Sequence, residues 1–400
     1  VCVHVEPPEA EKRYFHGMVS HFRMAGTYGS FAKYQAVVRP WLWFLTRTAD
    51  CKVFQFQTVP DIVQAVFRDL GFSDFQVRLS GTYAQREYCV QYRETDFDFV
   101  SRLLEQEGIY YYFKHEAGKH TLVLSDSIGS HDPAAGYAEV PYYPPQEHAS
   151  RERDHLYDWS VYQDVQTGTY ALNDFDFEAP KADLKVKSMV SRGHPQGEHE
   201  VYDYPGKYIK TAEGQKYAKT RIEQRQAQYE LVRGEGSAVG LAVGHLFSLT
   251  GFDVREDQNR EYLIVSSVHQ LQAAEYESRQ PGSADHWASC EITAVPSSQQ
   301  YRTPETTPKP IVQGPQTATV VGKAGEEIWT DKYGRVKVQF HWDRYGAKDE
   351  NSSCWVRVSQ VWAGKQWGAM HIPRIGQEVI VDFLEGDPDQ PIITGRVYNA

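Results

Sequence analysis

Residues 330–400 set the tightest limit on what this chain can fold into. Strand-like runs, turn signals and tryptophans follow one another there with almost no slack. Asp331-Lys332-Tyr333-Gly334-Arg335 opens a turn, and residues 335–340 then alternate polar and apolar, the period of a half-buried strand. Residues 355–361 repeat the pattern. Residues 378–383 put Val379, Val381 and Phe383 on one face, 385–391 form a turn, and 392–397 are a last strand. Short antiparallel strands at this spacing predict a small closed or nearly closed barrel.

Upstream the pattern is mixed. Residues 14–19 and 31–38 read as strands, and the aromatic cluster at 40–45 suits a core or a subunit contact better than a ligand site. A helix is predicted over 61–70, where Ile62, Val63, Val66, Phe67 and Leu70 share a face, Asp61 caps with Gln64, and Gly71 is the stop. A second is predicted over 96–107, with Thr95 and Asp98 at capping-box spacing and Gly108 as its stop. Residues 109–113 and 121–124 read as a hairpin, 156–177 and 181–191 as β-structure, and 198–208 as a turn around Pro205-Gly206. Residues 213–229 read as a solvated helix with a thin apolar stripe, and 244–249 and 262–268 as further strands. Four prolines among threonines make 302–315 a linker.

A chain of 400 residues is too long for one core and predicts two to four domains. Its 26 Tyr and 18 Phe favour strands, so the expected class is β-rich. The net charge of −11 argues against a general nucleic-acid binder, which needs a basic face. Five cysteines without a CxxC pair fit neither a zinc site nor a disulfide framework, and suit reduced, buried thiols in a protein folded in the cytoplasm. No apolar run is long enough for a membrane-spanning helix. The start at Val1 is neither a methionine nor a signal peptide but reads as a strand in mid-domain, so the chain is expected to be part of a longer protein.

Three groups of residues suggest chemistry. His194, His199 and Glu200 are the best metal candidates, but their Gly- and Pro-rich surroundings lack the helical HExxH spacing and suit a polar loop. Cys354, with His341 and His371 nearby in sequence, is conceivable as a nucleophile, yet a small barrel has room only for its own side chains. Trp342, Trp355, Trp362 and Trp367 could stack on bases or sugars; core and subunit contact is the favoured reading for them. No catalytic, cofactor or metal residue is assigned.

Longer motifs then agree with one family. Asp331 to Val338 with His341-Trp342-Asp343, Trp355-Val356-Arg357-Val358-Ser359-Gln360, Ala363-Gly364, Trp367-Gly368, Pro373-Arg374-Ile375-Gly376-Gln377-Glu378-Val379 and Phe383-Leu384-Glu385-Gly386-Asp387-Pro388-Asp389-Gln390-Pro391 closely resemble the VgrG spike proteins of bacterial type VI secretion. Tyr14-Phe15-His16-Gly17, residues 91–99 and 105–113, and Tyr202-Asp203-Tyr204-Pro205-Gly206-Lys207-Tyr208 resemble the hub region of the same family. The resemblance implies a mainly β fold with α+β insertions. Phage tail-hub-like β-barrels would occupy 1–300, a linker 301–315 and a C-terminal OB-fold barrel 316–400. It further implies a homotrimer that caps the tail tube, is assembled in the cytoplasm, crosses a target membrane under sheath contraction and leaves the cell through the apparatus. A β-helix needle, a PAAR-repeat tip protein and effectors would lie beyond residue 400, and the first hub strands before residue 1. Tyr204, Pro205, Gly206, Tyr333, Gly334, Arg335, Trp355, Arg357, Trp367, Gly368, Pro373, Gly376, Asp382, Gly386, Asp387 and Pro388 would then be structural or interface residues. The rival readings are an OB-fold module for glycan or nucleic acid and a cell-wall hydrolase.

Overall fold

A computed structural model of the chain describes residues 1–7, 11–145, 153–272, 287–365 and 367–399. They form two compact units, each built from separated stretches: 1–41, 73–82 and 105–305 in the first, and 42–72, 83–104 and 306–400 in the second. The expected division at 301–315 runs along the chain, whereas the units cut across it.

The first unit is organised around a sheet that closes on itself. His245–Thr250, Glu261–Gln272, Trp287–Pro296, Glu230–Gly236 and Leu156–Gln163 are neighbours in that order, all antiparallel. Glu139–Pro141 lies parallel to His245–Thr250, and Tyr142 then bridges to Leu156, which completes the circuit. Trp159, Val232, Phe247, Tyr262, Ile264 and Ile292 fill the interior, as the inward residues of a small barrel must. The N-terminal strands Cys2–Val5 and Arg13–His16 pair with each other. Met18–Tyr28 and Phe31–Arg39 form a separate two-stranded ribbon.

Three helices are described: α1 (Val59–Asp69), α2 (Asp96–Glu107) and α3 (Thr211–Gln226). α1 starts two residues before the predicted position. Thr58, not Asp61, is its cap, because the Thr58 hydroxyl accepts from the Asp61 amide and the following Pro60 suits a first turn. α2 has the predicted bounds, and Thr95 and Asp98 make their reciprocal capping contacts at 2.7 and 3.0 Å. α3 departs from the reading of a solvated helix. Ala218 and Ile222 are buried, but so are Thr220, Gln224 and Gln226. The last two amides donate to the backbone carbonyls of Glu105 and Thr167, so polar residues serve as packing residues once bonded.

The second unit contains the C-terminal barrel. Lys337–Phe340, Gln316–Val321, Glu378–Phe383, Pro391–Val397 and Arg357–Val358 are neighbours in that order. Paired hydrogen bonds between Val336 and Val356, 2.8 and 3.0 Å, close the ring. In chain order the neighbours run first, second, third, fifth, fourth and back to first, the connectivity of the OB-fold. Two details differ from the sequence reading. Arg357–Val358 runs parallel to Ile392–Ile393 and is only two residues long. The central strand Gln316–Val321, which pairs on both sides, was not read as a strand. Ala318, Val320, Val338, Phe340, Val379, Val381 and Ile393 make the core, and Tyr88 and Val90, far away in sequence, belong to the same cluster.

Candidate functional site, an assembly surface

The ribbon leaves a run of large apolar side chains in water. Met18–Tyr28 and Phe31–Arg39 turn through Gly29-Ser30, with Gly29 in the left-handed region that such tight turns require. Phe22, Met24, Tyr28, Phe31 and Tyr34 are all more than half exposed. Phe22 and Tyr34 stack at 5.5 Å, and Arg23 donates to Gln35 across the ribbon. Among the described residues no third strand joins it. An isolated two-stranded ribbon is at best marginally stable in water, and both its edges carry unpaired backbone groups. The sequence shows the second strand almost whole, over 31–38, but only the start of the first, since bulges after Val19 and Met24 interrupt its alternation.

A second exposed element lies in the other unit. Trp362–Gly364 pairs with Trp367–Ala369, and the two indoles meet edge-on at 5.2 Å. Trp362 is 65% and Trp367 57% exposed. The glycines of this motif have a steric reason. A Cβ on Gly364 would lie 2.3 Å from the Trp367 ring, and one on Gly368, at φ 142°, would lie 2.4 Å from the Trp362 carbonyl oxygen. The four tryptophans therefore separate. Trp342 is partly buried, stacked on Phe340 and bonded to Gln316, and Trp355 stacks with Trp329. Trp362 and Trp367 face solvent.

The remaining motif residues shape turns and clamps. Asp331 accepts from the Tyr333 and Arg335 amides and pairs with the Arg335 guanidinium, while Gly334 takes the left-handed turn position. Burial pushes the Asp331 carboxyl up, but these donors outweigh it and hold the group below its ordinary value. Gly376 makes a left-handed turn into Glu378–Phe383, next to the buried Pro373. Asp382 accepts from Thr394, and Arg357 is exposed. Trp355 lies 5.0 Å from the ammonium of Lys337, a buried group that donates to the Ser353 carbonyl. In the first unit Tyr204 is exposed before a cis Pro205, and the Gly206 amide donates to Asn173.

Gly386, Asp387 and Pro388 do more than turn the chain. Asp387 and Asp389 both bind the ammonium of Lys309 at 2.5 Å, and Asp389 also accepts from the Val90 amide at 2.6 Å. Burial depresses the Lys309 ammonium, but the two carboxylates win and hold it above its ordinary value. Beside this clamp Arg102 makes a forked bond to Glu94 and donates to the Val90 carbonyl, all buried. Lys309 lies in a proline-rich stretch with no local pattern, so nothing in the sequence marked it.

The chemical candidates do not converge. His194 bonds the Pro195 carbonyl, His199 bonds Gln196, and Glu200 pairs with Lys187. Among the described residues no group of three ligands could hold a metal. Cys354 lies in the barrel core, where burial pushes its thiol up to about 12, while the His341 ring bonds Thr317 and the His371 backbone amide donates to Gln360. Among the described residues no helix is long and apolar enough to cross a membrane.

Comparison with known proteins accords with this geometry. Residues 1–275 match the phage tail baseplate hub family, and residues 317–398 match the type VI secretion system/phage-baseplate injector OB domain. The type VI secretion system spike protein VgrG1b of Pseudomonas aeruginosa is 58% identical over 99% of the chain, which covers 53% of that protein. VgrG1c of the same organism is 57% identical, again over 99% of the chain and 54% of its own length. The chain thus spans about half the length of the curated relatives it matches. Among solved structures, an E. coli type VI secretion component described as similar to the T4 tail proteins gp27 and gp5 superposes with a TM-score of 0.67. It has 22% identity, and the match covers 96% of this chain and 84% of that one.

Proposed function

The chain belongs to the VgrG spike-protein family of type VI secretion, and on that premise we propose that it is the hub and barrel part of a structural spike. Three copies associate in a cyclic contact that closes at three. The hub caps the tail-tube protein, and the barrel leads toward a needle, a PAAR-repeat tip and effectors. Assembly is in the cytoplasm, and sheath contraction carries the spike through a target membrane and out of the cell. The part played by the chain is mechanical and not enzymatic: closed barrels and clamped turns give rigidity, and exposed apolar elements give association.

The observation that carries this reading is the Met18–Arg39 ribbon. Its exposed aromatic side chains and free edges need a cover that the described residues do not supply. A stable interface buries about 800 Å² per partner, and a ribbon of this length with five large exposed aromatic and methionine side chains is on that scale. The Trp362–Trp367 hairpin supplies a second contact of the same kind. The test is absolute mass by light scattering over a dilution series. The expected result is a constant mass of three chains. A monomer at every concentration, with Trp362 and Trp367 fluorescence quenched by peptidoglycan fragments or oligonucleotides, would replace the spike reading with that of a binding module.

A further inference from the structure

Both ends of the exposed ribbon are held by one histidine. His120, almost fully buried on Lys119–Ser125, accepts the Trp41 amide on Nε2 at 2.8 Å, just after the ribbon ends. Its Nδ1 lies 2.8 Å from Nδ1 of His16, just before the ribbon begins. Since Nε2 accepts, the ring proton sits on Nδ1 and is donated to His16. His115, on the paired strand Tyr110–Glu116, accepts the His16 backbone amide on its own Nδ1 at 3.1 Å. Three rings thus fill three acceptor roles, and each role requires a neutral imidazole. A proton added to His120 would set two donors against each other at Trp41, and a proton added to His16 would do so at His120.

We propose that His120, with His16 and His115, is an acid-sensitive latch at the base of the Met18–Arg39 ribbon, closed when the rings are neutral and opened by protonation. The surroundings agree with this. Arg13 adds positive charge around the rings, and Asp74, itself paired with Lys119 at 3.2 Å, is an acid that acts on His120. Burial is the main reason that both His115 and His120 resist protonation in the fold, and it takes His115 to about 4. A group lowered from 6.5 to about 4 stabilises the closed state above pH 6.5 and loses that contribution as pH falls toward 4. For His115 alone this raises the opening constant about 20-fold between pH 7 and about pH 5. The latch rests on the assembly reading only for its consequence, which is that acid frees the surface used for self-association.

The test is hydrogen exchange with mass spectrometry at neutral pH and about pH 5, corrected for intrinsic rates. The readout is the ratio of protection at the two pH values for residues 13–24, 35–47 and 110–125. The expected ratio is about 20 or more at these segments and close to one at Gln316–Val321, in the other unit. His115→Gln and His120→Gln retain an acceptor that does not titrate in this range, so each should lower the ratio even if its neutral protection is reduced. A flat ratio in the unmodified chain overturns the latch, as does an equal rise at Gln316–Val321 or an unchanged ratio in both variants. Light scattering on the same samples keeps the two readings apart. A monomer at neutral pH whose ribbon ends still open in acid sinks the trimer and upholds the latch.

Discussion

Replacing Lys309 by Met asks how much the motif Gly386-Asp387-Pro388 contributes to the barrel unit. The change removes one ammonium from between two carboxylates. Side-chain exposure is 20% for Lys309, 10% for Asp387 and 11% for Asp389. Stripping one partner from a buried pair costs about 3–5 kcal/mol, because the remaining charge is left without compensation. Some water reaches this site, so the lower end, about 3 kcal/mol, is expected. With a urea slope of about 3 kcal/mol/M the midpoint should fall by about 1 M. Trp329, Trp342 and Trp355 belong to the same unit and report its unfolding by fluorescence. Neutralising the acids as well, in Lys309→Met with Asp387→Asn and Asp389→Asn, should recover most of the loss. The pH dependence has a definite sign. Lys309 is held above 10.5, so its contribution is complete below that value and is lost as pH rises through the raised one. A loss under about 1 kcal/mol for Lys309→Met would refute the argument and reduce the clamp to an ordinary surface pair.

Three further outcomes are expected. Val381→Asp places a carboxylate at a position of 0% exposure in the barrel core and should cost several kcal/mol; a fully stable variant would show that the core assignment is wrong. Gly368→Ala forces a side chain into a φ of 142° and should cost about 1–3 kcal/mol locally, seen as loss of the Trp362–Trp367 signal in near-ultraviolet circular dichroism. In the folded chain at mildly alkaline pH a thiol reagent should reach the exposed Cys2 quickly while Cys89, Cys290 and Cys354 stay protected; rapid labelling of Cys354 would mean that the barrel opens.

The barrel was legible because its strands announce themselves locally. Residues 378–383 alternate as a strand should, and the turn at Asp331 to Arg335 carries its own hydrogen-bonding acid. The α2 capping box was readable for the same reason. What escaped was non-local. The Gln316–Val321 strand follows a proline-rich stretch that masked it, and the alternation of Met18–Tyr28 is broken by two bulges. Gln224 and Gln226 looked like solvent residues because their backbone partners lie at residues 105 and 167. The histidine pairing of residues 16 and 120, and the clamp of 309 with 387 and 389, join positions that no periodicity links. Family likeness supplied the fold, but the contacts of Lys309 and His120 became visible only in three dimensions.

The interrupted make-up of the second unit bears on how such genes can recombine. A breakpoint in the proline-rich stretch before Gln316 looks harmless on the linear map. Yet Tyr88 and Val90, encoded well upstream, belong to the barrel's own core, and Asp389 holds the Val90 backbone. A hybrid joined there would match one parent's barrel with the other parent's plug. Descent should therefore keep residues 42–72, 83–104 and the barrel as one inherited set. Chimaeras that exchange both pieces together should fold better than those that swap the tail alone.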